Sequence, residues 1–316
     1  MRRAEFGSTG ATISRIGIGG WQAGGTGPWG GGPRADDDAV IAAIRRAVEG
    51  GVSWVDTAAS YGLGHSEEVV ARAIAPRSVG DEVLVFTKCG HPWDPPDTIR
   101  TDLGSDSIRR ECEGSLRRLG IERIDLYQFH HADPWTPIET SWAAMAKLVS
   151  EGKVRWAGVS NFDVDLLERC EAIRHVDCVQ PELSLLRPEA LDGVIPWCGA
   201  HGTGVIGYSP LGTGALARAD GATHGQAEGD DVLRSRGATV HERLVAIGAR
   251  VGLSSRELAV AWALSNADVT GVICGARTPE QVDGWIGAGD VELSPELVSE
   301  IDAVAKGRVA APGEEE

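Results

Sequence analysis

Asp56, Tyr61, Lys88 and His130 are the residues of this chain whose types and placement could do chemistry together. Asp56 ends the apolar run 52–56, Lys88 ends 83–88 and His130 ends 124–130. Tyr61 follows Asp56 in Asp56-Thr57-Ala58-Ala59-Ser60-Tyr61-Gly62. Each run reads as a strand, and helix-like stretches lie between them. In a closed parallel barrel, groups at the C-terminal strand ends face one common mouth. A phenol with an ordinary pKa of about 10 is protonated at neutral pH and can donate. A lysine ammonium beside it favours the phenolate and lowers that pKa, and a carboxylate keeps the lysine charged and oriented. Such a set suits protonation of a carbonyl oxygen as hydride arrives at its carbon, with His130 as a second donor to the same oxygen. Singly, these residues have ordinary readings: a turn cap, a strand-end lysine, a loop aromatic. Their occurrence together at successive strand ends is what argues for a site.

The elements that must position them alternate regularly. Residues 6–15 read as a short hairpin around Gly7-Ser8-Thr9-Gly10. Strands follow at 16–19, 52–56, 83–88, 124–130, 154–160, around 178–180, 204–208 and 269–274. Helical patterns occupy 36–49, 66–75, 105–119, 137–151, 164–173, 188–201, 241–251 and 254–265, and two more cover 278–287 and 295–305. In the first of these, Val40, Ile44 and Val48 fall on one face at helical spacing. Strict strand–helix alternation implies parallel strands with right-handed crossovers. Eight such units predict an α/β fold, a (β/α)8 TIM barrel over 1–309 with an N-terminal β-hairpin and extra C-terminal helices. Residues 310–316 read as a disordered tail. Residues 218–240, Gly-rich and polar after the seventh strand, read as a lid or as a solvated insertion.

Bulk properties narrow the classes. The chain has 316 residues, 42% of them hydrophobic, enough for a full core. A net charge of −16 argues against nucleic acid or an anionic membrane surface as partner, while leaving room for a local basic patch. The six cysteines show no CxxC spacing and read as reduced core thiols of a cytoplasmic protein. No secretory h-region follows the basic N-terminus, and no apolar run reaches membrane-spanning length.

Several motifs resemble the aldo-keto reductases. Val55-Asp56-Thr57-Ala58-x-x-Tyr61-Gly62-x-Gly64-x-Ser66-Glu67 is similar to the family signature, as is Asp125-Leu126-Tyr127-Gln128-Phe129-His130. So are Gly158-Val159-Ser160-Asn161-Phe162, Val179-Gln180-Pro181, Gly207-Tyr208-Ser209-Pro210-Leu211-Gly212 and Gly275-Ala276-Arg277-Thr278-Pro279-Glu280-Gln281. These span most of the chain in the family's order. The resemblance implies reversible reduction of an aldehyde, ketone or sugar carbonyl, with NADP(H) favoured over NAD(H) and bound in extended form across the strand ends. It implies Tyr61 as general acid/base, Lys88 and Asp56 as the pair that tunes it, and His130 as the substrate-orienting imidazole. Ser160, Asn161 and Gln180 would hold the nicotinamide carboxamide, and Tyr208 would stack on its ring. Ser209, Leu211 and Gly212 would contact the pyrophosphate, with Gly275, Arg277 and Gln281 at the adenosine-phosphate end. Gly20 and Trp21, at the first strand end, together with Asp56, complete the cofactor set. Paired donor and acceptor groups of amides suit a carboxamide, and an arginine can grip a 2′-phosphate bidentately. Cys274, Trp285 and Leu183 depart from the family pattern.

Other features compete for attention. Gly25-Thr26-Gly27-Pro28-Trp29-Gly30 fits GxGxxG, but Pro28 interrupts it and no helix opens there, so it reads as a loop. His130-His131-x-Asp133 looks like part of a metal cluster; further convergent ligands would be needed, none is evident from spacing, and no metal is expected. His131 reads as a rim residue. Of ten tryptophans, Trp21, Trp29, Trp93 and Trp135 fall in predicted mouth loops and are candidates to line a substrate pocket. Two other functions stay open: a cofactor-binding regulatory subunit, like the potassium-channel beta subunits that resemble this family, and a metal-dependent barrel hydrolase. Physiological substrate and oligomeric state are not readable from the residues.

Overall fold

A computed structural model describes residues 1–25, 35–75, 83–94, 98–223 and 231–306. Twelve strands are present among them: β1 (Arg3–Glu5), β2 (Thr12–Ser14), β3 (Ile16–Gly19), β4 (Trp54–Asp56), β5 (Leu84–Cys89), β6 (Trp93–Asp94), β7 (Thr98–Ile99), β8 (Ile124–Phe129), β9 (Val154–Ser160), β10 (Cys178–Gln180), β11 (Gly204–Tyr208) and β12 (Gly271–Gly275). Eight of them, in the order β3-β4-β5-β8-β9-β10-β11-β12, form a closed parallel barrel, sealed where β12 pairs with β3. This is the (β/α)8 barrel that the alternation predicts. The helices are α1 (Asp37–Glu49), α2 (His65–Ile74), α3 (Ser105–Leu119), α4 (Ile138–Ser150), α5 (Val164–Glu171), α6 (Val194–His201), α7 (Asp231–Val251), α8 (Ser255–Ala263), α9 (Pro279–Asp283) and α10 (Pro295–Ala305). Among the described residues, no helix is long and apolar enough to cross a membrane.

Local chemistry explains the helix starts. The Asp36 carboxylate accepts from the Asp38 N–H, and Asp37 and Asp38 lie where the helix dipole favours negative charge. Ser254 and Glu257 form a reciprocal capping box on α8. Strand β5 is buried along its whole length, as a strand covered on both faces must be.

Period-2 alternation divides each barrel strand into an inward and an outward set. Outward residues pack under the helices. Inward residues change character along the barrel axis. Trp54, Leu84, Phe86, Leu126, Trp156, Cys178, Ile206 and Ile273 fill the lower interior as one apolar cluster. Phe6 and Ile13, from the N-terminal hairpin, cap it from below, with Phe6 stacked on Phe86 at 5.7 Å between ring centroids. Gly17 leaves room for Trp54, since a Cβ there would lie 2.4 Å from the indole. Two residues further along, the inward set turns polar: Asp56 above Trp54, Lys88 above Phe86, Gln128 above Leu126, and Gln180 above Cys178. The apolar plug therefore forms the floor of a polar mouth.

Several elements differ from the sequence expectation. The expected helix 188–201 is broken at Gly193 into a 3-10 turn (Glu189–Asp192) and α6, and 278–287 divides into α9 and a 3-10 turn (Ile286–Asp290). The first hairpin strand lies at Arg3–Glu5, upstream of 6–15, because Phe6 turns inward to plug the barrel. The small antiparallel pair β6–β7, unexpected from the sequence, sits between β5 and α3. Helix α7 begins at Asp231, ten residues before the expected 241, so the polar segment 218–240 ends in helix. Gly237 disguises that helix in the sequence: it is buried where α7 meets the Gly212–Ala217 turn, and a Cβ there would lie 2.6 Å from that of Ala215. The GxGxxG loop beyond Gly25, Trp29, residues 224–230 and the tail 310–316 lie outside the described residues.

Candidate active site

The β4–β5 and β5–β8 registers set Asp56 opposite Phe86 and Lys88 opposite Gln128. Both side chains belong to the inward-facing set, with Lys88 two positions beyond the residue that pairs with Asp56. The Lys88 ammonium donates to Asp56 Oδ1 and, at 3.0 Å, to the Thr57 carbonyl. Both residues are buried, Lys88 being only 1% exposed. An ammonium taken out of water at this depth is tolerable only when paired and hydrogen-bonded. The other oxygen of Asp56, Oδ2, accepts from Gln180 at 2.9 Å and from Gln128 at 3.3 Å. The carboxylate is thereby fixed through both of its oxygens.

Tyr61 reaches back over this pair from the loop after β4. The Lys88 Nζ lies 5.2 Å from its ring centroid, and its ring stands edge-on to His130 at 5.5 Å between centroids. All four strand-end residues thus meet at one point. Burial dominates the phenol's electrostatics and raises its pKa above the usual value; Lys88 pulls the other way and offsets only part of this. The lowered value expected from the sequence counts the ammonium and not the desolvation. Lys88 would be lowered by burial, but Asp56 and Tyr61 outweigh that and raise it, so it stays charged. Burial first, then Lys88, depresses His130 well below the ordinary imidazole range, so that it is neutral at pH 7. The arrangement thus holds a neutral phenol over a paired ammonium, with a neutral imidazole alongside.

Asp56, Tyr61 and His130 line one end of a cavity of about 770 Å³ that runs across the mouth. Ser160, Asn161, Gln180, Tyr208, Ser209, Leu211 and Gly212 line it, as do Trp21, Gly275, Arg277 and Gln281. Asn161 and Ser209 hold left-handed backbone conformations, with φ of +60° and +55°. Such strain in non-glycine residues concentrates at functional sites. The polar lining groups are engaged with one another here. Asn161 Nδ2 donates to the His130 carbonyl at 3.0 Å, Tyr208 Oη donates to Asn161 Oδ1 at 2.9 Å, and Ser160 Oγ donates to the Gln180 carbonyl at 2.8 Å. At the far end, the Arg277 backbone N–H donates to Gln281 Oε1 at 2.8 Å. Gly20 plays another part: its carbonyl accepts from Ser66, and a Cβ there would lie 2.8 Å from Ser66 Oγ.

A dinucleotide fits this lining on two counts. Arg187, Arg218, Arg256 and Arg277 border the cavity against the acids Asp56, Glu182 and Glu280, a small local excess of positive charge on a chain of net −16. Two buried polar atoms of its lining residues, Gln22 Oε1 and Trp285 Nε1, have no hydrogen-bond partner among the described residues. Buried polar atoms are rarely left so, and here they offer an acceptor and a donor to a polar ligand.

Of the pocket-lining tryptophans expected at the mouth, Trp21 borders the cavity. Trp93 packs beneath the Arg118 guanidinium, 5.4 Å from its ring centroid. Trp135 is 86% exposed. Neither is among the described residues lining the cavity. Asp133 does not turn toward the histidines; it accepts from the Leu103 and Trp135 N–H groups and from Thr136 Oγ1. Gln128, Ser60 and His91 escaped the sequence reading. Gln128 could have been found by alternation, two residues before His130 on the same inward face. His91 lies past the end of β5, in a loop that no periodicity describes.

Comparison with known proteins places the chain in a family. The aldo/keto reductase family model matches residues 15–306. The chain is 32% identical to the aldo-keto reductase YhdN of Bacillus subtilis (strain 168), over 99% of this chain and 96% of that one. It is also 32% identical to the NADH-specific methylglyoxal reductase of Escherichia coli (strain K12), over 93% and 95%. Among solved structures, the glycerol dehydrogenase AKR11B4 of Gluconobacter oxydans superposes with a TM-score of 0.87 at 29% identity, covering 99% and 98% of the two chains. An aldo/keto reductase of Klebsiella pneumoniae in complex with NADP and acetate gives 0.76 at 28% identity, covering 96% of each. The chain belongs to the aldo/keto reductase family.

Proposed function

We propose that this protein reversibly reduces an aldehyde, ketone or sugar carbonyl with a nicotinamide cofactor, using Tyr61 as the proton donor. The observation that carries the reading is the buried Lys88–Asp56 pair beneath the Tyr61 ring. A bound reduced nicotinamide would supply the hydride. The chain's own residues would manage the proton. Tyr61 Oη gives its proton to the carbonyl oxygen as negative charge develops there, and the Lys88 ammonium stabilises the phenolate left behind. Asp56 keeps that ammonium oriented, and Gln128 and Gln180 keep Asp56 oriented. Neutral His130 offers a second hydrogen bond to the same oxygen. In the oxidative direction the phenolate takes the proton back from the alcohol.

Ser160, Asn161 and Gln180 are the groups we assign to the carboxamide, and Tyr208 to the ring face. Ser209, Leu211 and Gly212 are assigned to the pyrophosphate, with Gly275, Arg277 and Gln281 at the adenosine end. A preference for NADP(H) follows if Arg277 grips a 2′-phosphate. The named relatives bracket this choice, since one is called NADH-specific and one structure holds NADP. Replacing Arg277 by Ala is therefore expected to raise KM for NADPH with little change for NADH. Equal effects on both cofactors would remove Arg277 from the 2′-phosphate site. For the overall reading, Tyr61→Phe is expected to lower carbonyl reduction by about 10²–10⁴-fold, the usual worth of a positioned proton donor, while cofactor still binds. Near wild-type turnover in that variant would sink the role. Tight cofactor binding by the wild type with no turnover on any carbonyl would instead favour a regulatory subunit.

A further inference from the structure

We propose that His91, His130 and His131 form a binding site for a divalent transition-metal ion of the zinc type at the barrel mouth, and that the bound ion shuts off carbonyl reduction. One ring nitrogen from each residue lies within 4.8 Å of the other two. The His91 Nε2 and His131 Nδ1 are already 3.0 Å apart. Zinc–imidazole bonds of about 2.0–2.1 Å place neighbouring nitrogens roughly 3.3 Å apart in a tetrahedral site. The three nitrogens lie within 4.8 Å of one another, so binding calls for the imidazole rings to turn toward a common point. Three neutral imidazoles form a ligand set that zinc, copper, nickel and cobalt all accept.

The backbone under the cluster is built before any ion arrives. Strands β5 and β8 are hydrogen-bonded neighbours, with Cys89 opposite Phe129. The ladder continues past their ends, where the His130 N–H donates to the Cys89 carbonyl at 2.9 Å. The Gly90 N–H donates to the buried Glu111 carboxylate at 3.2 Å, which pins the loop that carries His91. Outer partners orient the rings, as they do for metal-bound histidines generally. The Arg100 carbonyl accepts from His91, and Ser60 Oγ lies 3.4 Å from His130 Nδ1. His91 and His130 are buried, whereas His131 is half-buried and borders the cavity with His130. Three protein ligands on one side thus leave the ion's remaining position facing the cavity.

Three features oppose an ion here. Asn161 Nδ2, an amide donor 3.2 Å from His131 Nε2, must turn away when that nitrogen carries the ring proton. The His91–His131 hydrogen bond must exchange its shared proton for the metal. The Lys88 ammonium repels a dication, although Asp56, in contact with it, cancels most of that charge at a distance. Once bound, the ion holds His130, which the proposed reaction needs at the substrate oxygen. This inhibitory consequence rests on the proposed reductase function; the metal site itself does not.

The test uses tag-free, chelator-treated full-length protein with zinc chloride as the probe. Equilibrium dialysis with elemental analysis is expected to give about one zinc per chain, as one three-histidine site predicts. His91→Gln and His131→Gln are each expected to weaken zinc binding at least about 10-fold, a scale that even the outer partners of metal ligands reach. Thermal melting establishes which variants are folded, and either folded variant alone decides the matter. No bound zinc in the wild type, or unchanged affinity in a folded variant, overturns the site. In parallel, zinc is expected to inhibit carbonyl reduction by the wild type and to do so only at higher concentration with His91→Gln. Equal inhibition of both overturns the regulatory link. Zinc binding by a protein that turns over no carbonyl leaves the metal site standing and counts against the reductase reading.

Discussion

Lys88 is the residue on which the electrostatics of the mouth turn. It is buried against Asp56 and beneath Tyr61, and among the leading influences on the phenol its ammonium is the one that lowers the pKa. Removing it as Lys88→Met leaves burial and Asp56 acting together, so the Tyr61 pKa rises further. The sign of the kinetic effect follows. Reduction needs the phenol, so its rate falls only as pH rises through a Tyr61 pKa that burial has raised above the ordinary phenol value. Oxidation needs the phenolate and gains rate as pH rises toward that pKa. In Lys88→Met the rise in alcohol oxidation is expected to begin at higher pH than in the wild type, and pH–rate profiles in both directions check this. An unshifted profile would detach Lys88 from the phenol. At this scale the sequence is legible where chemistry and strand ends coincide, as they do at Asp56, Tyr61, Lys88 and His130. Alternation places Gln128 on the inward face, but its bond to Asp56, 72 positions away in the chain, carries no local signal. His91 is hidden more deeply, because its convergence with His130 and His131 depends on a loop rather than on a period.

The elements carry their own titration. Glu111 on α3 is buried and accepts from the Gly90 N–H, and burial pushes its pKa up to about 8 from an ordinary 4.5. Between those two values the folded chain keeps a proton that the unfolded chain has lost. Stability therefore falls as pH rises through this window, by at most about 1.4 kcal/mol per pH unit for one proton. Glu111→Gln keeps a carbonyl acceptor for Gly90 and removes the titration. Its stability, measured by urea unfolding from pH 5 to 8, is expected to change less with pH than that of the wild type. Parallel curves for the two proteins would contradict the assignment. Helix α7 gives a packing test. Gly237→Ala improves helix propensity yet is expected to lower the melting temperature, since its Cβ would collide with Ala215. An unchanged or raised melting temperature would show that the α7 contact yields easily. Strand and helix order are legible because the hydrophobic period reports them directly. The start of α7 is not, since a glycine that permits close helix packing has the same letter as one that permits a turn. The β6–β7 pair is too short to give a periodic signal.

For the whole molecule, the barrel's function follows from a gradient along its axis. Large apolar rings fill the lower interior and the N-terminal hairpin seals it, so the polar groups of the interior gather at the mouth. Closure of the sheet then forces residues more than a hundred positions apart, such as Asp56 and Gln180, into one hydrogen-bonded set. Alternating strands and helices make that closure predictable. The contrast between an acidic chain and an arginine-bordered cavity is not, because net charge says nothing about where cations gather. The central claim, proton donation by Tyr61, is tested most directly by consumption of NADPH and NADH by wild-type protein and Tyr61→Phe, side by side, against aldehydes, ketones and keto-sugars. Turnover by the wild type with at least one carbonyl class is expected, with its near loss in Tyr61→Phe and cofactor binding by both. Comparable turnover by the two proteins would contradict that claim.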